Sequence, residues 1–240
     1  MNFNIIPGFL AEKDSFVLSS DFPNFATGTD GWTSLVVDAG TSVAVGDAAG
    51  GIAALATGAT DNNEAMLRST NALFLPAAGK PMFCRVRINL TEVNTDDANI
   101  FVGFASSAGA NLLVDDGAGI RTTGSIFGIA KFDGDTVWRG VSRNGTTTTN
   151  TASSMSDNMT SGVYAELEVR IEEFTTTQCV VTFLVDGTYL RDDTTFANVI
   201  THRVAYSGLT VMNFVACYIK AGGANSEVPN VDWAVGSGVR

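Results

Sequence analysis

The chain has 240 residues and carries 25 acidic against 14 basic side chains, for a net charge of −11. No run of Lys or Arg occurs, so a nucleic-acid-binding face or an attraction to anionic membrane is not expected. With 45% hydrophobic and 16% charged residues the chain is not a disordered one, and its length suits one large β-sandwich.

Residues 1–25 read as an extended N-terminal arm and 26–240 as a single domain. The arm is rich in large apolar residues without a helical or strand period. Phe3, Ile5, Ile6, Phe9 and Leu10 are expected to dock on a partner, either a neighbouring subunit or a larger shell. The start shows no basic stretch followed by an apolar core, so it does not read as a secretory signal.

From Trp32 onward, short β-type runs alternate with turn signals. The Ala/Gly-rich stretch from Gly40 to Gly58 is expected to hold a small-residue strand with close backbone packing. Met82, Cys84, Val86, Ile88 and Leu90 alternate with Arg85, Arg87 and Asn89, which predicts a strand with one buried face. Asp133-Gly134 is expected to join Ser125–Phe132 to Thr136–Val141 in a hairpin, its residues supplying the positive φ of a type I′ turn. The Thr/Ser/Asn-rich run from Asn144 to Ser156 reads as a long exposed loop.

Further along, Val163, Ala165, Leu167, Val169 and Ile171 alternate with Tyr164, Glu166, Glu168, Arg170 and Glu172, predicting a second one-faced strand. Gln178–Val185 and Leu209–Ile219 are apolar on both faces and predict central strands or strands covered by a partner. Asp186-Gly187 marks a tight turn after the first of these, and 192–203 has room for one helical turn. Helix signals are otherwise nearly absent. The expected fold class is all-β, an antiparallel β-sandwich of jelly-roll type with an extended N-terminal arm.

Chemistry-bearing constellations are sparse. Cys84, Cys179 and Cys217 each sit inside an apolar run without metal-ligand spacing, and read as buried thiols. His202 is the single histidine, which excludes a multi-His metal centre. No Gly-x-Ser-x-Gly elbow is present. Glu166, Glu168 and Glu172 share one strand face, as paired carboxylates do in some β-sandwich glycoside hydrolases. Arg170 interrupts the series and Glu173 points the other way, so the face reads as solvated. The acidic stretches Asn94–Asp97, Val114–Gly117 and Asp133–Asp135 lack the twelve-residue calcium loop and read as turns. No catalytic, cofactor-binding or metal-binding residues are expected, and no cofactor.

Three sequence blocks together resemble a known family. The first runs Gly50-Gly51-Ile52-Ala53-Ala54-Leu55-Ala56-Thr57-Gly58, then Asn63-Glu64-Ala65-Met66-Leu67, then Phe83-Cys84-Arg85-Val86-Arg87-Ile88. The second runs from Leu167–Ile171 into Val181-Thr182-Phe183-Leu184-Val185-Asp186-Gly187. The third is Val231-Asp232-Trp233-Ala234-Val235. Their order is similar to that of concanavalin A-like (laminin-G-like) jelly rolls among tailed-bacteriophage structural proteins. The resemblance implies a non-enzymatic virion protein, a capsid decoration protein bound to the major capsid protein on the capsid surface. It also implies self-association, with a homotrimer as the expected form. The alternatives are a glycan-binding module of a fibre or adhesin and a glycoside hydrolase.

Overall fold

The computed structural model describes residues 15–22, 31–47, 51–94, 96–157 and 162–239. Phe3, Ile5, Ile6, Phe9 and Leu10 lie outside these, so the proposed partner-binding arm is not part of the description. The strands are β1 (Ser15–Ser20), β2 (Trp32–Val36), β3 (Ser42–Asp47), β4 (Ile52–Ala56), β5 (Glu64–Ser69), β6 (Met82–Asn89), β7 (Asn99–Ala105) and β8 (Ser125–Lys131). They continue as β9 (Val137–Asn144), β10 (Thr148–Ser156), β11 (Ala165–Thr175), β12 (Gln178–Val185), β13 (Thr188–Tyr189), β14 (Thr201–Ala205), β15 (Asn213–Lys220) and β16 (Asn230–Val239). The helical content of the described residues is one short 3-10 turn, Asp115–Gly117.

The strands form two antiparallel sheets. Sheet A runs β13-β12-β11-β6-β16-β4-β3, and sheet B runs β10-β9-β8-β7-β15-β5-β2. Two strands of sheet A have a shared outer edge. The far edge of β16 is taken by β4 at one end and β1 at the other, and the far edge of β12 by β13 and β14.

Alternation in the sequence becomes alternation in space. Met82, Cys84, Val86 and Ile88 on β6, with Leu167, Val169 and Ile171 on β11, face sheet B and are buried. Phe104, Phe127, Trp138 and Phe214 come from sheet B to meet them. At one end of this core the rings of Trp32, Phe74, Phe104 and Phe214 contact one another in tilted and edge-on pairs. Such geometry suits the ring quadrupoles.

Sheet B is apolar on its other face as well, with Met66, Phe101, Ala105, Ile126, Ala130, Val141, Val215 and Tyr218 in a second cluster. Residues 106–124 fold across this face as a strap and bury Ala108, Leu112, Leu113 and Ile120 against it. The strap is a small hairpin, bridged at Leu113 and Ile120, that turns through Asp115–Gly117. Gly117 has a φ of +68° and lies so close to the Asp133 carbonyl that a Cβ would sit 2.3 Å from it. A side chain there is excluded on both counts.

Several expectations change. Within the expected arm, Ser15–Ser20 pairs with β16 and sets Phe16 and Leu18 on the core. Most of the run from Asn144 to Ser156, which reads as a loop, is the strand β10 (Thr148–Ser156) at the edge of sheet B. Its entry turn is held by the Asn144 side chain, which accepts the backbone N–H groups of Thr146 and Thr147. β-branched Thr is a good strand former, and an edge strand needs no continuous apolar face. Val163 lies outside β11 and is 61% exposed. Asp186 and Gly187 both have positive φ, as a type I′ turn requires, whereas at 133–134 the positive φ falls on Gly134 and not on Asp133. The helical turn expected within 192–203 is a single loop turn closed by Phe196 N–H donating to the Asp192 carbonyl.

Truncating Phe214 leaves a cavity at the centre of the ring cluster. Phe214→Ala is expected to lower stability by about 3–5 kcal/mol. The measurement is urea unfolding, where the midpoint should fall with an unchanged slope.

Candidate functional site

The outer face of sheet A gathers the charged and aromatic residues that β11 and β6 present. Backbone register sets Glu166 opposite Arg87, Glu168 opposite Arg85 and Arg170 opposite Phe83. On the far side of β6, Arg87 is opposite Trp233 and Arg85 opposite Val235. A bulge between Val231 and Trp233 adds Asp232 to β16, and its carboxylate pairs with Arg87.

Glu168 is 2% exposed, against the expectation of a solvated carboxylate. Arg85 donates to one of its oxygens and Arg170 to the other. The two long side chains lie over it and keep their heads partly in water, at 31% and 26% exposure. Both carboxylate oxygens are therefore engaged by cations. Glu166 is 39% exposed with an oxygen 4.0 Å from Arg85. A nucleophile and acid pair needs two carboxyls free to address one bond, and Glu168 is engaged on both oxygens.

Guanidinium groups also lie over aromatic rings. Arg87 sits 4.1 Å from the ring centre of Tyr164 and Arg203 4.1 Å from that of Phe174. Arg170 lies 5.9 Å from the ring centre of Tyr189 and donates to its hydroxyl at 3.3 Å. Beside them Asn230 donates to Asn89 at 3.0 Å, and Asn89 donates to the Gly162 carbonyl at 3.2 Å. The result is a broad polar lattice whose charges are paired with one another and whose rings and guanidinium faces remain partly open. It can make many stacking and hydrogen-bond contacts over an area.

His202 is internal. Its Nδ1 lies 2.9 Å from the Ser142 hydroxyl, its Nε2 3.0 Å from that of Thr151, and its ring meets Phe183 edge-on. Burial pushes its pKa down to about 4. The cysteines are buried free thiols as expected, and burial raises each of them, Cys179 to about 11.

The acidic loops that read as separate turns converge at one end of the sandwich. Burial raises the Asp133 pKa, and the nearby charge of Asp97 adds to this while Lys131 opposes it; Asp116 and Asp61 contribute less. Lys131 is fully buried and pairs with Glu92 at 2.8 Å. Among the described residues no group of three His, Cys, Asp or Glu side chains is placed to hold a metal ion. This convergence has no local sequence signal, because the loops are brought together by strand order.

No family model and no curated protein sequence matches the chain. Solved structures do. An endo-1,3-beta-glucanase from Streptomyces sioyaensis superposes with a TM-score of 0.63 at 11% identity, covering 95% of this chain and 98% of that one. Lectin II from Ulex europaeus gives a TM-score of 0.56 at 12% identity, with 94% and 98% covered. The carbohydrate recognition domain of Emp47p gives 0.57 at 11% identity, with 91% and 94% covered. The fold is a concanavalin A-like jelly roll. At these identities the likeness concerns the fold alone.

Two predictions follow from the buried groups. The unfolded chain binds a proton at His202 near pH 6.5, while the folded chain binds it near 4. His202 therefore lowers stability as pH falls from 6.5 and has its full effect below about 4, up to roughly 3 kcal/mol. The melting temperature of wild type should drop more steeply than that of His202→Gln across this window. Glu168→Gln leaves two guanidinium groups without their shared anion. It should cost about 1–3 kcal/mol at neutral pH by chemical denaturation.

Proposed function

We propose that this chain is a non-enzymatic structural protein of a tailed-phage virion, a capsid decoration protein that binds the major capsid protein. The observation that carries the reading is the outer face of sheet A. Its buried carboxylate, Glu168, is held by Arg85 and Arg170, while Arg87, Tyr189 and Trp233 lie on β6, β13 and β16 and Tyr164 just ahead of β11. A lattice of this kind suits docking on a broad protein surface better than turnover of a small bond. The order of the three sequence blocks supports a virion setting, and the acidic balance fits a protein kept from the packaged nucleic acid. Self-association, with a homotrimer as the expected form, belongs to the same reading.

A second reading is a saccharide-binding module. It draws on the partly open rings of Tyr164 and Tyr189 and on the fold neighbours, which include lectins and a glucanase. Sugar rings stack their C–H faces on such aromatics.

The test is attachment to particles. The purified chain should co-sediment with intact phage heads, and antibodies to it should label the head surface. Arg87→Ala and Tyr189→Ala should each weaken attachment about tenfold while leaving the β circular-dichroism spectrum unchanged. Absence from heads, together with retention on a galactose or β-1,3-glucan matrix, would replace the virion reading by the second one.

A further inference from the structure

We infer that Lys220 and Asn111 are joined by an intramolecular isopeptide bond, with Glu64 as the proton carrier. The two residues belong to different parts of the fold. Lys220 ends β15 on the outer face of sheet B, and Asn111 lies in the strap that crosses that face. Glu64 begins β5 and stands directly opposite Lys220 in the register.

The three side chains meet in one place. Lys220 is 1% exposed and its Nζ lies 3.1 Å from Glu64 Oε1 and 3.2 Å from Asn111 Oδ1. Glu64, 3% exposed, also accepts the Asn111 backbone N–H on both oxygens, at 3.1 and 2.8 Å. One carboxylate therefore holds the lysine and the asparagine backbone together. Leu112, Leu113, Met66 and Tyr218 are buried around them. A lysine nitrogen hydrogen-bonded to a carboxamide oxygen is near the distance from which it attacks the carbonyl carbon, about 3–3.5 Å.

The chemistry balances without a co-reactant. Glu64 takes a proton from the Lys220 ammonium and leaves a neutral amine. The nitrogen lone pair attacks Cγ of Asn111, and the carbonyl π electrons move to Oδ1. Glu64 passes its proton to Nδ2 and takes a second one from Nζ. The electrons return from Oδ1, the Cγ–Nδ2 bond breaks, and ammonia departs, collecting the proton from Glu64. In sum, an ammonium and a carboxamide become a secondary amide and an ammonium ion. Asn111 is at the solvent side of the strap, which gives the leaving group an exit. Burial disfavours the charge on Lys220, but hydrogen bonds and charge from Asp115 and Glu64 outweigh it and hold the Lys220 pKa above its ordinary value, so attack has to wait for the ammonium to pass its proton to Glu64.

Asp115 also contacts Lys220. Its side chain is 54% exposed, and a carboxylate is a poorer electrophile than a carboxamide. A bond to Asp115 would release water and not ammonia, so the two acceptors differ in mass.

The experiment is the intact mass of the full, folded chain. Wild type should be one ammonia lighter than its sequence, and a protease digest should contain a branched peptide joining the segments around 111 and 220. Asn111→Ala, a change at the surface, and Lys220→Met should both restore the full mass, and Glu64→Gln should abolish or greatly slow the loss. The β circular-dichroism spectrum confirms folding of each variant. Full mass in wild type after prolonged incubation at neutral pH would reduce the trio to an ion-pair clasp and overturn the bond. Loss of one water that persists in Asn111→Ala would overturn Asn111 as the acceptor.

Discussion

A sheet whose strands carry apolar side chains on both faces has to be covered on both, and sheet B is such a sheet. Sheet A covers one face. The other is covered by 19 residues of irregular chain, 106–124, which have no partner strand of their own. The bed is shaped for this, since Gly103, Ala105, Gly128 and Ala130 surround Phe101 and leave a shallow surface. Burying Leu112 and Leu113 stabilises the strap by about 1.5–3 kcal/mol each. Its backbone polar groups are met by charged side chains at its margins. Arg121 donates to the Ser106 and Ser107 carbonyls, Arg143 to that of Thr122, and Glu64 accepts from Asn111. The buried lysine and glutamate are thus consequences of covering an apolar sheet with a loop. Such ion pairs add little net stability but penalise any other placement of the strap.

The two outer faces divide the chemistry of the molecule. The face of sheet B is sealed by the molecule itself. Among the described residues the face of sheet A is partly exposed and has charges matched, Glu168 with Arg85 and Arg170, and Asp232 with Arg87. A matched surface lacks the strong field that would steer a small charged substrate. It offers instead a fixed pattern of donors, acceptors and rings whose recognition value comes from area.

Much of the fold was legible because a one-faced strand prints its geometry into the sequence. Met82–Asn89 alternates in burial as its residues alternate in polarity, and Ala165–Ile171 does so except at Glu168. Gln178–Val185 and Leu209–Ile219 read as central or covered strands; Asn213–Lys220 is interior and buried on both faces, whereas Gln178–Val185 lies one strand from the edge with an outer face only partly buried. The rest failed for identifiable reasons. Thr148–Ser156 hid its strand because an edge position does not demand apolar residues. Phe16 and Leu18 alternate with Val17 and Ser19, but six residues are too few to stand out beside an apolar lead. Glu168 obeys the alternation and is still buried, since two arginine stems from its own sheet roof it over. The strap and the converging acidic loops carry no local signal at all, because what defines them is which distant strand they meet.

The position of β16 has a bearing on how the protein comes into being. This strand, ending at Val239, lies between β6 on one side and β1 and β4 on the other. Sheet A therefore cannot zip together until the residues of β16 have been made. Until then the inner faces of β6 and β11 and the first strand, β1, have no finished sheet to join. Any nascent chain halted before residue 230 leaves those strands without β16 between them. Pairing of segments so far apart in sequence makes closure of the sheet a slow step, one that leaves apolar strand faces exposed while it waits.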